Sequence, residues 1–430
     1  MGSAEGDVVE ARHAPAGVTG SIQVPASKSL TQRGLVAAAL AAQGSKVVHP
    51  LDAEDPRLVF EALRQAGFRL VWEEDVVTAQ GREPVEGVTL RLGNNGTGLR
   101  FLLAQLANLP GTWVVDGSER LRQRPIVPLV GALRHLGARI EPVEGVDVAL
   151  PLRVNGRPLS GGEVGLDASA SSQFVSALLL LGATLPEGLA VHLGSVPPSR
   201  PYLQLTAEVL TAFGATVVAA DDGKSWSVPG GGLAPAKFVV EGDWSAAAFP
   251  LAAAAAAGGE VEVEGVRRES RQGDSAVLGL LARAGCRIRE SPRGVVLGGP
   301  ATTALEADLR DTPDLFPALA VLVAVVGGKL TGLAGLAAKE SDRLAVMAGH
   351  LAGLGFAVEA GPSWFAGAGQ APRRRSGDEA LDPAADHRVA MALAVAGCVI
   401  PGVRILNPGC VRKSWPAFWA AWQGIVPVGS

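Results

Sequence analysis

Leu281 to Ile288 reads LARAGCRI, and this stretch decides the fold because its pattern recurs along the chain. The pattern Leu-x-x-x-Gly-x-x-apolar appears as LRQAGFRL, LRHLGARI, LTAFGATV, LARAGCRI and LAGLGFAV. The glycines of these copies follow one another at intervals of 70 to 77 residues: Gly67, Gly137, Gly214, Gly285 and Gly355. A weaker sixth copy, WQGIV, places Gly424 69 residues after the fifth glycine. Six units of about 70 residues therefore account for the 430 residues of the chain.

Each copy predicts an apolar helix that ends at a glycine in a left-handed conformation and is followed at once by a β-strand. Repetition of such units gives α/β subdomains. A period of about 70 residues is too long for the familiar solenoids, so we expect two globular halves of three units each. The Pro/Gly-rich stretch Val228 to Ala236 lies near the midpoint of the chain and places the main boundary near residue 240.

Composition excludes several classes of protein. Lys and Arg number 38 against 42 Asp and Glu, and no run of five like charges occurs, which argues against nucleic-acid binding. The three cysteines form no CxxC and the six histidines form no HxxxH, so neither a disulfide framework nor a metal site is indicated. Residues 1–17 lack the apolar region of a secretory signal, and the longest apolar runs are shorter than the roughly 20 residues that span a bilayer. We therefore expect a soluble, cytoplasmic α/β protein with no membrane or nucleic-acid partner.

Several predicted apolar helices begin with a compact polar group that also contains Lys or Arg. The groups are Ser27-Lys28-Ser29 with Arg33, Asn94-Asn95-Gly96-Thr97 with Arg100, Ser169 to Gln173, Lys339 to Arg343, and Asp386-His387-Arg388. Ser, Asn and Asp are good N-caps, which is a sufficient explanation for any single group. The helix dipole, however, disfavours cations at a helix N-terminus. An anionic ligand explains their repeated presence, because backbone N–H groups and a nearby cation together bind phosphate or carboxylate.

Two of these groups have further features of an anion site. Ser29 and Arg33 are four residues apart and share a helix face, and Lys28 lies next to them at the start of the predicted helix. The glycines of Gly93 to Gly98 allow a tight turn whose N–H groups point inward, although the segment is neither a P-loop nor a Rossmann motif. Arg120 to Pro125 adds positive charge, and alone it is more typical of a solvated face.

Two carboxylates complete the candidate chemistry. Asp314 and Glu340 accompany these cations, and carboxylates among cations have shifted pKa values and can exchange protons. As isolated residues they are ordinary helix caps. No Ser-His-Asp set or nucleophile elbow is present in the sequence, which disfavours a hydrolase of that type.

Together these motifs resemble those of the 5-enolpyruvylshikimate-3-phosphate (EPSP) synthases, a family of enolpyruvyl transferases. The similarity runs in order over nearly the whole chain, and KESDR and SRPY are its most specific motifs. The matching segments are PASKS at 25–29 with Arg33, GNNGTGLR at 93–100, Arg124-Pro125, SSQ at 171–173, SRPY at 199–202, EGD at 241–243, QGD at 272–274, Pro313-Asp314, KESDR at 339–343, DHR at 386–388, and Cys410 with Lys413.

The resemblance implies a two-lobed enolpyruvyl transferase fold, an inside-out α/β barrel of six βαβαββ-type units with three per lobe. Residues 1–26 and 241–430 would form the first lobe and residues 27–240 the second, with the active site in the cleft between them. The implied reaction transfers the enolpyruvyl group of phosphoenolpyruvate to the 5-hydroxyl of shikimate 3-phosphate and releases phosphate, on the route to chorismate and the aromatic amino acids. It needs no metal or organic cofactor, and the implied protein is a monomer.

Roles of individual residues also follow from the resemblance. Shikimate 3-phosphate would be bound by Lys28, Ser29, Arg33, Ser171, Ser172, Gln173, Ser199, Tyr202, Asp314 and Lys339. Phosphoenolpyruvate would be bound by Lys28, Gly96, Arg124, Gln173, Arg343, Arg388 and Lys413. Lys28, Asp314 and Glu340 are the implied catalytic residues, with Asp314 as the base toward the 5-hydroxyl.

Three residues depart from the family pattern: Asn95 and Phe101 beside the retained Gly96, and Gly335 where a polar residue is usual. Gly96 predicts sensitivity to glyphosate, whereas a bulky Asn95 that enters the phosphoenolpyruvate pocket would oppose it.

Two alternatives remain at this point. A UDP-N-acetylglucosamine enolpyruvyl transferase would share the fold and the donor, but Gly117-Ser118-Glu119 stands where that family has its Gly-Gly-Cys loop. A non-catalytic, anion-binding homologue would retain the fold without turnover.

Overall fold

The computed structural model describes residues 7–41, 43–85, 87–145, 148–372 and 379–427. The chain divides into two compact units. The continuous unit is Ala26–Glu241, and the discontinuous unit comprises Met1–Pro25 and Gly242–Ser430. Ala26 and Glu241 thus belong to the continuous unit, whereas the sequence analysis assigned both to the other lobe.

The elements alternate throughout the chain. The helices are α1 (Lys28–Leu40), α2 (Glu54–Gln65), α3 (Gly96–Asn108), α4 (Glu119–Arg122), α5 (Val127–His135), α6 (Gln173–Gly182), α7 (Pro201–Ala212), α8 (Trp244–Ala257), α9 (Val277–Arg283), α10 (Phe316–Val326), α11 (Arg343–Gly353), α12 (His387–Val399) and α13 (Phe418–Gln423). Short 3-10 helices span Gly273–Ala276, Pro313–Leu315, Ala334–Ala338 and Pro408–Lys413. The strands are β1 (Val8–Glu10), β2 (Val18–Gln23), β3 (Lys46–Val48), β4 (Phe68–Glu73), β5 (Val76–Arg82), β6 (Val88–Arg91), β7 (Gly111–Asp116), β8 (Arg139–Pro142), β9 (Leu152–Gly156), β10 (Gly162–Leu166), β11 (Leu189–Leu193), β12 (Val218–Ala219), β13 (Ser225–Val228), β14 (Lys237–Val239), β15 (Gly259–Glu264), β16 (Arg287–Ser291), β17 (Gly294–Gly298), β18 (Leu305–Asp308), β19 (Gly328–Thr331), β20 (Val358–Gly361), β21 (Trp364–Gly367) and β22 (Arg404–Leu406).

In the described residues, the strands form five four-stranded sheets of one plan. The strand orders are β14-β3-β5-β4, β6-β7-β9-β8 and β10-β11-β13-β12 in the continuous unit, and β16-β17-β15-β2 and β18-β19-β21-β20 in the discontinuous unit. Each sheet contains one parallel pair and an antiparallel hairpin that follows a helix. In three sheets a helix connects the two parallel strands directly, as α3 connects β6 and β7, whereas the parallel pairs of β3 with β14 and of β2 with β15 join distant parts of the chain. This is the βαβαββ order that the resemblance implies. In the part of the chain that the structure describes, the sixth unit contains α12, the 3-10 helix Pro408–Lys413, α13 and the antiparallel pair of β1 with β22.

The repeated glycines end helices as the sequence predicts. α2, α5, α7, α9 and α11 are each followed by a glycine with φ between +85° and +97°: Gly67, Gly137, Gly214, Gly285 and Gly355. At the first of these, the Gly67 N–H donates to the Arg64 carbonyl at 2.9 Å, and β4 begins at the next residue. The sixth copy does not follow the prediction, because Gly424 has φ −70° and no strand follows it in the described residues.

Three helices of each unit are almost completely buried. They are α1, α3 and α6 in the continuous unit and α8, α10 and α12 in the discontinuous unit, and each set lies within its own hydrophobic core. Their many Ala, Leu and Val residues allow close packing of α8, α10 and α12 on one another. Four of the five predicted polar groups lie at or next to the N-termini of α1, α3, α6 and α12, and the fifth, Lys339 to Arg343, lies at the start of α11. None of the described helices has both the length and the apolar character that crossing a membrane requires.

Candidate functional site

Lys28, at the start of α1, forms a buried ion pair in the continuous unit. Its Nζ lies 2.9 Å from Oδ2 of Asp55, which is in the first turn of α2. The Asp55 carbonyl also accepts a hydrogen bond from Asn95 Nδ2 at 2.8 Å. Asp55 therefore connects the N-termini of α1 and α3. Asp55 has no distinguishing signal in the sequence and was not predicted, because an acidic residue in a first helical turn is usual.

Asn95 caps α3 and is buried. Its Oδ1 accepts the Gly98 N–H at 2.8 Å while its Nδ2 binds the Asp55 carbonyl. Both polar atoms of this side-chain amide are therefore hydrogen-bonded within the protein. The second unusual residue, Phe101, is also buried, and its ring centroid lies 5.2 Å from the Arg33 guanidinium.

Arg33 is a buried cation bound by neutral oxygen atoms. Its guanidinium donates to the Ser29 carbonyl at 3.0 Å, the Thr206 hydroxyl at 2.9 Å and the Tyr202 carbonyl at 3.2 Å. The rings of Phe101 and Tyr202 lie 5.2 and 5.7 Å from its Cζ. Burial lowers the pKa of Arg33 to about 10, against an opposing effect of Tyr202. Arg33 therefore stays charged at neutral pH and positions both Ser29 and Tyr202.

Arg124 lies directly over Gly96 at the start of α3. A Cβ at Gly96 would be 2.6 Å from the Arg124 Cζ. The Arg124 Nη1 reaches the Asn94 carbonyl at 3.5 Å, and its Nε is buried with no hydrogen-bond partner among the described residues. Arg122, in contrast, is bound to Asp116 through two hydrogen bonds of 3.0 and 2.7 Å. Arg124 is thus the arginine of this loop with a donor still available.

Gln173, the first residue of α6, connects that helix to α3. Its Nε2 donates to the Thr97 hydroxyl at 3.0 Å, and its Oε1 accepts a short hydrogen bond from Arg100. The other predicted residues of this unit also lie at helix starts: Ser171 and Ser172 before α6, and Ser199 and Tyr202 around the start of α7. The structure therefore places the predicted groups of the continuous unit at the N-termini of α1, α3, α6 and α7.

Arg343 is the centre of the cluster in the discontinuous unit. It begins α11, is buried, and lies 2.8 Å from Asp314, 2.8 Å from Glu340 and 2.9 Å from Asp386. Burial opposes its charge, but the three carboxylates raise the pKa of Arg343 above its ordinary value. This ion network connects the N-termini of α10, α11 and α12.

Asp314 lies among three cations. Its carboxylate is 2.8 Å from Arg343, 3.2 Å from Arg388 and 3.5 Å from Lys339. Burial and the Glu340 charge favour the neutral form, yet the three cations hold the pKa of Asp314 well below its usual range. Asp314 is therefore ionised at neutral pH, and five residues predicted from the sequence lie together here.

Two further predicted positions lie on 3-10 helices of this unit. Lys413 is buried at the end of Pro408–Lys413, which packs on α12, the helix of Arg388. Gly335 is exposed, with open space where a side chain would be. Among the residues that the structure describes, no group of three or more His, Cys, Asp or Glu side chains is arranged to hold a metal ion.

Helix N-termini with buried cations and carboxylates are the arrangement expected of an α/β protein that acts on small, multiply charged anions. The family model described as EPSP synthase (3-phosphoshikimate 1-carboxyvinyltransferase) matches residues 13–422. The chain therefore belongs to the EPSP synthase family.

Individual relatives agree with this assignment. The 3-phosphoshikimate 1-carboxyvinyltransferase of Syntrophobacter fumaroxidans is 38% identical over 419 residues, which cover 95% of this chain and 97% of that protein. The enzyme of the same name from Methanospirillum hungatei is 34% identical over 423 residues, or 94% and 96% of the two chains. The solved EPSP synthase of Acinetobacter baumannii has a TM-score of 0.77 at 26% identity and covers 97% of this chain and 98% of its own. The enolpyruvyl transferase NikO of Streptomyces tendae, at 17% identity and a TM-score of 0.75 over 98% of each chain, shares the fold.

The predictions of an enolpyruvyl transferase fold and of a transferase of the shikimate pathway are thus confirmed. The relatives named above also favour this function over the UDP-N-acetylglucosamine alternative.

Proposed function

We propose that the predicted site residues of the two units bind shikimate 3-phosphate and phosphoenolpyruvate and carry the proton transfers of the reaction. One observation carries this proposal: Asp314 is a buried carboxylate with Arg343, Arg388 and Lys339 at 2.8 to 3.5 Å. A proton acceptor surrounded by cations is suited to a reaction in which a hydroxyl is activated beside anionic groups.

Binding is assigned residue by residue. For shikimate 3-phosphate we propose Lys28, Ser29, Arg33, Ser171, Ser172, Gln173, Ser199, Tyr202, Asp314 and Lys339. For phosphoenolpyruvate we propose Lys28, Gly96, Arg124, Gln173, Arg343, Arg388 and Lys413. The buried Arg33 and the available donor of Arg124 support these assignments, because a buried guanidinium held by neutral oxygens is stabilised by an anion.

In the proposed reaction, the 5-hydroxyl oxygen forms a bond to C2 of phosphoenolpyruvate. The hydroxyl proton passes to Asp314, and C3 accepts a proton as the double bond becomes single. The tetrahedral intermediate then loses a proton from C3 and phosphate from C2, which restores a carbon–carbon double bond. Lys28 and Glu340 are the further proton-transfer groups of this proposal.

Substrate binding also changes the basicity of Asp314, whose pKa is low. A carboxylate with a pKa well below its usual range is a weak base. Anions that bind Arg343 and Arg388 offset the charge of these cations, which raises the pKa of Asp314. We therefore infer that bound substrates increase the basicity of Asp314.

Phosphate release from phosphoenolpyruvate tests the proposal, measured with shikimate 3-phosphate and separately with UDP-N-acetylglucosamine. Asp314→Asn keeps the side-chain volume and removes the base, so we expect kcat to fall by about 10² to 10⁴. Glu359→Gln is the matched control, since Glu359 is an exposed carboxylate on β20 of the same unit.

Three results would contradict the proposal. An unchanged kcat of D314N would remove Asp314 from the chemistry. Phosphate release with UDP-N-acetylglucosamine as acceptor would establish the other transferase. Binding of shikimate 3-phosphate by the wild type without turnover would favour the non-catalytic homologue. The cytoplasmic location, the monomeric state and the sensitivity to glyphosate stay predictions.

A further inference from the structure

Asp274 is a buried carboxyl group of the discontinuous unit that the proposed reaction does not use. It lies in the 3-10 helix Gly273–Ala276, with 3% of its surface exposed. Its Oδ2 accepts a short hydrogen bond from the hydroxyl of Ser245, in the first turn of α8. Its Oδ1 is buried without a hydrogen-bond partner among the described residues. An ionised carboxylate in this position is costly, because one oxygen has lost water and gained no donor.

The neighbouring Gln272 fixes this segment against α8. Its Oε1 accepts the Trp244 N–H at 3.2 Å, and its Nε2 donates to the Gly242 carbonyl at 2.7 Å. The carboxyl of Asp274 is therefore held in place by Gln272, two residues before it, and by Ser245. It cannot turn toward solvent without breaking these contacts.

Charged groups face Asp274 from three surrounding elements. α8 contributes Asp243, the 3-10 helix Pro313–Leu315 contributes Asp314, and α12 contributes Arg388. Burial, followed by the Asp314 charge, raises the pKa of Asp274 to about 7, although Arg388 and the Ser245 hydrogen bond oppose this rise. Asp314 itself stays ionised because Lys339, Arg343 and Arg388 outweigh its burial and the Glu340 charge.

The protonation state of Asp274 affects Arg388. Its Nη2 lies 3.2 Å from Oδ2 of Asp314, and its Nη1 donates to the Asp314 carbonyl at 3.4 Å. While Asp274 is neutral, the Asp314 carboxylate pairs with this guanidinium. Once Asp274 is ionised, a second carboxylate attracts Arg388 and repels any incoming anion.

We propose that Asp274 is a positioning residue for phosphoenolpyruvate, and that its protonated form leaves Arg388 available to bind this anion. The inference rests on the proposed assignment of Arg388 to phosphoenolpyruvate. By linkage, an anion bound beside Asp274 favours the protonated carboxyl, so binding weakens as the pH rises through the range in which Asp274 ionises.

The KM for phosphoenolpyruvate between pH 6 and 8.5, at saturating shikimate 3-phosphate, tests this role. Between pH 7 and 8 we expect the KM of the wild type to rise about fivefold relative to that of Asp274→Asn, as one group with a pKa of about 7 requires. Titration of the substrate cancels in this ratio. The control Glu359→Gln removes an exposed carboxylate of the same unit and should follow the wild type. A D274N profile parallel to that of the wild type would overturn the proposal.

Ser245→Ala provides a second variant, which should displace the rise in KM rather than abolish it. The Ser245 hydrogen bond lowers the pKa of Asp274, so its removal should move the rise in KM to higher pH. A purely structural role of the pair predicts no such displacement. An S245A profile with the wild-type midpoint would contradict the proposed role.

Arg388→Gln separates this inference from the assignment on which it rests. An unchanged KM for phosphoenolpyruvate in R388Q would contradict the assignment of Arg388, and the inference with it. A raised KM in R388Q together with identical pH profiles of D274N and wild type would contradict the role of Asp274 alone.

Discussion

At the scale of single residues, Gly96 is predicted to matter through Arg124. A methyl group in Gly96→Ala would lie 2.6 Å from the Arg124 Cζ, so the flexible guanidinium must move away. We expect the KM for phosphoenolpyruvate to rise about tenfold, equivalent to about 1.4 kcal/mol. The free energy of unfolding should change by less than about 1 kcal/mol, because Ala is favourable in a helix. Steady-state kinetics and urea unfolding of the same preparation measure both quantities.

Gly131→Ala is the control for that substitution. Gly131 lies in α5 with no atom within 4 Å of its added Cβ, so this variant should keep the wild-type KM and gain up to about 1 kcal/mol of stability. If G96A also kept the wild-type KM, binding of phosphoenolpyruvate would not require the present position of Arg124.

Site residues that belong to a sequence motif could be predicted from the sequence. Residues whose contacts depend on the fold could not. Asp314 belongs to the segment Pro313-Asp314, Glu340 and Arg343 belong to KESDR, and the structure brings the three together. Asp55 has no comparable signal, since only the fold brings it to Lys28. The orientation of Asn95 depends in the same way on the Asp55 carbonyl, 40 positions before it in the chain.

At the scale of elements, the glycine of the repeat is predicted to be essential for stability only in the copies where its φ is positive. Gly67 has φ +93°, and an added Cβ would lie 2.0 Å from the Glu83 carbonyl oxygen. Gly67→Ala should therefore lower the free energy of unfolding by at least about 2 kcal/mol. Gly424→Ala is the matched comparison, because Gly424 has φ −70° and its nearest neighbour lies at 3.2 Å. Urea unfolding should give a change within about 1 kcal/mol for G424A, and equal losses in both variants would contradict this explanation.

The same comparison explains why the repeat could be predicted better than its last copy. Five helices must reverse direction into a neighbouring strand, and the left-handed glycine leaves a visible pattern in the sequence. After α13 no strand follows in the described residues, so the backbone at Gly424 needs no such turn. The spacing of the glycines alone does not distinguish the five copies that lead into a strand from the sixth.

At the scale of the whole molecule, the two hydrophobic cores could be predicted only in part. The Pro/Gly-rich stretch from Val228 to Ala236 indicates a boundary near residue 240, and the continuous unit ends at Glu241. Composition gives no sign that Met1–Pro25 belongs with residues 242–430. The family resemblance implies that grouping, and in the structure the parallel pairing of β2 with β15, which lie more than 230 positions apart in the chain, joins the two segments.

The continuous unit is predicted to fold as an isolated segment, Ala26–Glu241. It contains its own hydrophobic core and three complete four-stranded sheets. Its two ends meet, since the Ser27 N–H donates to the Glu241 carbonyl at 2.8 Å. We therefore expect native-like circular dichroism and a single cooperative urea transition. The segment should release no phosphate from phosphoenolpyruvate, because the proposed base Asp314 lies outside it.

A shorter segment, residues 26–232, is the matched control for this prediction. It lacks β14, which pairs in parallel with β3 and buries Phe238 next to Phe213, with ring centroids 6.4 Å apart. Loss of a strand and of a buried aromatic residue should cost about 3 to 5 kcal/mol, so the midpoint of urea unfolding should fall markedly or cooperativity should disappear. Equal stability of the two segments would mean that β14 does not complete the first sheet. An unfolded 26–241 segment would mean that this core needs the rest of the chain.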